Sequence, residues 1–172
     1  MLRPQFYHGQ YEDLEIFTHH TNSLLACIAA AGPVVDLQPL FFRFTMDTAT
    51  HFLFGQAVDG LAPGSPNEGA FAGAFDIAQE CLARRIRLGN LYWLTRTQRL
   101  KKASKVVHDH IDRIIERATT GTASDAKSKD GRYVFLEKLL DESQDKKALR
   151  DQLVNILIAG RDTTACLLSW AL

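Results

Sequence analysis

The chain has 172 residues, 46% of them hydrophobic, and its 20 basic residues balance its 20 acidic ones. That length and apolar share suffice for a buried core, and zero net charge excludes a general attraction to nucleic acid or to acidic lipid. Three widely spaced cysteines, Cys27, Cys81 and Cys166, exclude a disulfide framework or a C-x-x-C zinc site and read as reduced thiols in a cytosol-facing protein.

Met1-Leu-Arg-Pro leads straight into polar residues, without the pattern of a secretory leader. The opening six residues read as a disordered start. The longest uncharged apolar stretch of the first half, Thr21–Val35, is too short to span a bilayer and contains Gly32-Pro33. The expectation is a soluble or peripheral chain with no anchor of its own.

The elements follow in order. From Tyr11 to Ala31, Leu14, Phe17, Leu24 and Ile28 make a helical stripe closed by Gly32-Pro33. His19 and His20 are neighbours, so they cannot share a helix face for a metal, and both are expected at the surface. Gln38 to Gly55 predicts a second helix with Phe42, Met46, Ala49 and Leu53 on one side. Its five phenylalanines mark it as deeply buried. Asp59 to Gly69 is a loop by its Gly, Pro and Ser content. Asn67 then caps a third helix reaching about Ile86, with Phe71, Phe75, Ala78 and Leu82 in register.

A fourth helix spans Thr97 to Ala118, with Leu100, Ala103, Val107, Ile111 and Ile114 as its apolar stripe. His108 and His110 lie two apart and point away from each other, which argues against a metal pair. Between the third and fourth helices, Leu91-Tyr-Trp-Leu94 lies among eight basic residues from Arg84 to Lys105, with no acid from Cys81 to Lys105. Charges for anionic headgroups beside aromatics for the interface are what a membrane-surface contact needs. A solvated basic face is the plain alternative, and nothing else in the chain supports nucleic-acid binding. Thr119 to Gly131 is a polar linker, and Tyr133 to Leu140 a short helix.

The last stretch organises the rest. Asp145 is a good N-cap, and Lys146 to Leu172 reads as one helix with Leu149, Leu153, Ile156, Gly160, Thr163 and Leu167 on one face. Its middle breaks the usual rules. Gly160 costs about 1 kcal/mol relative to alanine, Thr163 and Thr164 can turn their hydroxyls onto the carbonyls of Ala159 and Gly160, and Asp162 sits in an apolar run where an unpaired charge is costly. A missing side chain lets something approach the backbone, and an acid beside an alcohol can pass protons.

Ala159-Gly-Arg-Asp-Thr-Thr164 resembles the oxygen-activation signature of the central helix in cytochrome P-450 haem-thiolate monooxygenases. The run from Leu149 to Ala165 is similar to the fungal members that hydroxylate long-chain alkanes and fatty acids. The resemblance covers nearly the whole chain and implies an all-α helical bundle around one long central helix, residues 1–172 being an incomplete, middle part of that fold that ends within the central helix. It also implies haem iron as cofactor, electrons from NADPH through a reductase, an apolar long-chain substrate, and the cytosolic face of the endoplasmic reticulum membrane as location.

By resemblance the roles divide residue by residue. Ala159 and Gly160 leave room for dioxygen at the haem, Thr163 donates a hydrogen bond to it, and Asp162 relays protons from solvent. Ile156 and Phe75 line the substrate pocket, while Leu91, Tyr92 and Trp93, in the segment that roofs that pocket, meet the membrane. No cysteine has the family's Phe-x-x-Gly context and no Glu-x-x-Arg occurs, so the axial ligand to the metal is absent from these residues and they are not expected to be competent alone. The rival reading is a non-catalytic helical scaffold or a peripheral lipid-binding protein.

Overall fold

The computed structural model describes residues 14–58, 60–61, 70–95, 98–120, 135–142 and 145–172. Its helices are α1 (Leu14–Ala30), α2 (Leu37–Phe54), α3 (Phe71–Leu88), α4 (Gln98–Thr119), α5 (Phe135–Glu142) and α6 (Lys146–Ala171), with a 3-10 stretch at Gly89–Thr95. There is no strand among the described residues. The opening six residues, the proposed Asn67 cap, most of the loop after Asp59 and most of the linker before Tyr133 lie outside them.

Local chemistry sets the helix ends. The Asp36 carboxylate accepts from the Gln38 amide at 3.1 Å and starts α2. Gly55 stops it in the left-handed region, φ 72°, with its amide donating to the His51 carbonyl at 2.8 Å. Asp145 starts α6 as expected, accepting from the amides of Lys147 and Ala148 at 3.0 and 3.3 Å. α3 begins at Ala70 without a side-chain cap.

α6 packs chiefly along α2, α3 along α4, and α1 against α2. The main core lies where α4, α5 and α6 converge on α2, with Leu53, Ile111, Ile115, Phe135, Leu139, Leu153 and Leu157 essentially closed to solvent. Burying each such side chain is worth about 2 kcal/mol. A smaller cluster of Leu24, Phe41, Leu61 and Ala165 ties α1 and the chain after α2 to the far half of α6. The stripe expected on α4 is observed, with Ala103, Val107, Ile111 and Ile114 buried and Ile115 beside them. α2 is the deeply buried element its phenylalanines announced, and Thr45, Thr48 and Thr50 survive there by donating to the carbonyls one turn back.

Two stripes differ from expectation. On α1 the buried positions are Ile16, His20 and Leu24, while Leu14 and Phe17 are exposed. His20 is therefore a core residue and not a surface one. Its Nε2 lies 3.0 Å from His51 Nδ1 on α2, and that partner makes burial affordable. On α3 Cys81 turns inward and Leu82 outward.

His110 shows how an aromatic wall acts on a titratable group. Its ring lies 4.5 Å from that of Phe71 between centroids, and burial, then Arg113 and Arg117, hold its pKa below the ordinary 6.5.

Candidate functional site

α6 shows two unlike sides. Leu149, Leu153, Leu157, Arg161 and Ala165, each four residues on from the last, form the buried stripe. Ala159, Gly160, Thr163, Cys166, Leu167 and Trp170 are exposed. The expected single face is thus divided: Leu149 and Leu153 belong to the core, Ile156 is half-buried against it, and Gly160, Thr163 and Leu167 lie on the open side. The cause is Arg161, which a purely apolar template leaves out and which the core accepts.

The open side is a strip of small side chains. A Cβ built on Gly160 would meet nothing within 4 Å, and alanine precedes it. The Thr163 hydroxyl donates to the Ala159 carbonyl at 2.6 Å, the back-bond expected of it. Thr164 is exposed and makes no such bond among the described residues. With its proton committed to Ala159, Thr163 presents oxygen lone pairs to the strip. Donating outward requires a rotation about its Cβ–Oγ1 bond.

Asp162 stands at the edge of the strip, half-buried, 3.2 Å from Nη1 of its neighbour Arg161. Arg161 itself is 4% exposed. Its Nη2 lies 2.6 Å from Asp76 of α3, and the rings of Phe42 and Phe75 flank the guanidinium at 5.1 and 5.4 Å. Nε is buried with no hydrogen-bond partner among the described residues. A buried cation without such carboxylates and rings would be strongly destabilising. Sequence reasoning gave this residue no role. Its position four residues from both Leu157 and Ala165 was the available signal.

The structure brings Ala159, Gly160 and Thr163 together and sets Asp162 beside them. It does not bring Phe75 to the strip: that side chain is 2% exposed, its ring 6.1 Å from Phe71 and beneath Arg161. A cleft of about 500 Å³ between α2, α3 and α6 is lined by Phe42, Met46, Val58, Gly73, Asp76 and Arg161, and neither Gly160 nor Thr163 opens into it. Leu91, Tyr92 and Trp93 are each more than half exposed on the 3-10 stretch, with Ile86 exposed nearby and the Arg85 guanidinium 5.2 Å from the Tyr92 ring centre. Among the described residues no group of three or more His, Cys, Asp or Glu side chains could hold a metal ion. No helix among them is long and apolar enough to cross a membrane.

Comparison with known proteins gives the family. The family model described as cytochrome P450 matches residues 12–172. A cytochrome P450 of Arthroderma benhamiae is 43% identical over the whole chain and 35% of its own length. Cytochrome P450 52A5 of Candida maltosa and cytochrome P450 52A1 of Candida tropicalis are each 39% identical over 99% of the chain, and over 34% and 33% of their own lengths. The chain spans about a third of the length of the curated relatives it matches. It belongs to the cytochrome P450 family.

Proposed function

We propose that this chain supplies the oxygen-activating side of a haem-dependent monooxygenase of long-chain alkanes or fatty acids. The supporting observation is the strip at Ala159, Gly160 and Thr163, small, open and edged by the Asp162 carboxylate. Membership of the family implies haem iron and electrons delivered from NADPH through a reductase. The strip fits such a group. A flat macrocycle can lie against α6 only where side chains are short, and Gly160 has free space where any other residue would project. Haem, when bound, supplies the chemistry that inserts oxygen into an unactivated C–H bond.

The protein's own part is positional and protic. Ala159 and Gly160 would set how closely the group approaches the helix. Thr163 would hold a hydroxyl at the strip, kept in place by the Ala159 carbonyl until it rotates outward. Asp162, half-buried at the edge of the strip, would take a proton from water at a carboxylate oxygen and pass it toward Thr163 Oγ1. The full-length haem-loaded protein, given NADPH, its reductase and a long-chain alkane or fatty acid, is expected to form the hydroxylated product in step with NADPH consumed. No alcohol, and no NADPH consumption on adding either substrate, would overturn this function.

The exposed Leu91, Tyr92 and Trp93 favour a membrane contact at the cytosolic face of the endoplasmic reticulum, delivering apolar substrate from lipid. Arg84, Arg85 and Arg87 lie on the preceding turns of α3, placed for anionic headgroups. Converting all three apolar residues to serine is expected to weaken binding to anionic phospholipid vesicles by roughly a hundredfold, since each buried aromatic or leucine contributes about 1 kcal/mol or more. Sedimentation with vesicles checks this, and unaltered partitioning would leave the patch a solvated surface.

A further inference from the structure

Arg161 belongs to the buried stripe of α6, yet its guanidinium is divided between two carboxylates with different fates. Asp76, on α3, is largely exposed and holds Nη2 at 2.6 Å; Asp162, in the next position of α6, holds Nη1 at 3.2 Å. The rings of Phe42 from α2 and Phe75 from α3 fix the plane of the guanidinium between them. Phe42 holds the guanidinium on the α2 side, while Phe75 and Asp76 both belong to α3 and move with it. Displacing α3 by the length of a hydrogen bond therefore withdraws Asp76 and Phe75 together, and leaves the charge to Asp162 and the Phe42 ring.

We propose that Arg161 is a positioning residue through which α3 governs the freedom of Asp162, the acid of the strip. With Asp76 engaged, one nitrogen of the fork holds Asp162, and its carboxylate retains the freedom to turn between solvent and Thr163. With Asp76 disengaged, the undivided guanidinium draws Asp162 in and pins it away from Thr163. Occupancy beneath α3 is thereby communicated to the proton path by one ion pair, without any shift in α6 itself. This rests on the function proposed above, in which Asp162 carries protons.

Asp76→Asn tests it, because the position is more than half exposed and the substitution preserves volume. In the full-length haem-loaded protein, product formed per NADPH is expected to fall about fivefold, with KM and the substrate-induced spectral change within about twofold of wild type. Asp76→Glu, which keeps the charge, restores most of the loss. Arg161→Lys, a point charge unable to grip two carboxylates, behaves like Asp76→Asn. As a readout independent of turnover, deuterium exchange across residues 157–164 changes in Asp76→Asn but not in Glu80→Gln, where a surface pair with Arg84 on the same helix is lost. Wild-type coupling and wild-type exchange in Asp76→Asn overturn the proposal. Asp162→Asn and Thr163→Ala run beside it separate the two failures. If those two uncouple and Asp76→Asn does not, Arg161 has no such role and the strip stands; if none uncouples, the strip itself is misassigned.

Discussion

Thr163→Ala is expected to leave haem content and substrate binding unchanged while product per NADPH falls about tenfold, the balance leaving as peroxide. The hydroxyl is the sole polar group that this side chain offers to the open strip, and in the resting state it is stored on the Ala159 carbonyl at 2.6 Å. Its removal costs the helix nothing. Threonine is a poorer helix former than alanine by roughly half a kcal/mol, and the exposed Thr163 buries little surface that alanine would forfeit. A loss of coupling therefore cannot be charged to unfolding. Thr163→Ser keeps the hydroxyl and is expected to couple nearly as wild type. Measuring peroxide per NADPH in the haem-loaded full-length protein decides it, and equal peroxide from wild type and Thr163→Ala would remove Thr163 from the proton path.

The helices were legible wherever a period and a punctuating residue coincided. Asp145 before α6, Gly32-Pro33 after α1 and the stripe from Ala103 to Ile114 on α4 each combine an apolar spacing with local chemistry that needs no distant partner. The strip was legible for the same reason. A glycine, two threonines and an acid in mid-helix conflict with helix propensity, and such conflict collects where function requires it.

On α1 and α6, what escaped the sequence shares one physical cause. Two of the three misplaced stripes pass through a polar residue that a hydrophobicity template assigns to the surface: His20 on α1 and Arg161 on α6. Each is buried only because a partner on another helix satisfies it, His51 in one case and Asp76 in the other. Pairings of that kind form when the bundle closes, and no window along the chain contains them. The resemblance assigns Phe75 to the substrate pocket, and in the structure its ring lies 5.4 Å from the Arg161 guanidinium.

Asp47 is the third such residue, and replacing it should produce a large loss of stability. It lies in the middle of α2 at 1% exposure, where a carboxylate ordinarily has no place. Its two oxygens accept from the backbone amides of Gly60 and Leu61 at 2.8 and 3.0 Å, fastening the chain that leaves α2 back onto the helix. The Cys27 thiol, from α1, donates to the Leu61 carbonyl at 3.4 Å, so the amide and the carbonyl of Leu61 are tied to different helices. Leu61 is thereby seated in the smaller core with Leu24, Phe41 and Ala165. Asp47→Ala strands two amides, one of them buried, at about 1–2 kcal/mol each and leaves a void where the carboxylate was. The total, about 3 kcal/mol, is a large fraction of the stability of an ordinary domain. Asp47→Asn keeps one acceptor and turns an NH2 group against the other amide, so about half the loss is expected. Asp36→Ala gives the reference: an exposed cap with one bond at 3.1 Å, worth about 1 kcal/mol. Urea unfolding followed by circular dichroism should rank the three variants Asp47→Ala, Asp47→Asn and Asp36→Ala, from least to most stable. If Asp47→Ala unfolds no earlier than Asp36→Ala, the two amides find other acceptors, and the fastening of Leu61 rests on its apolar contacts alone.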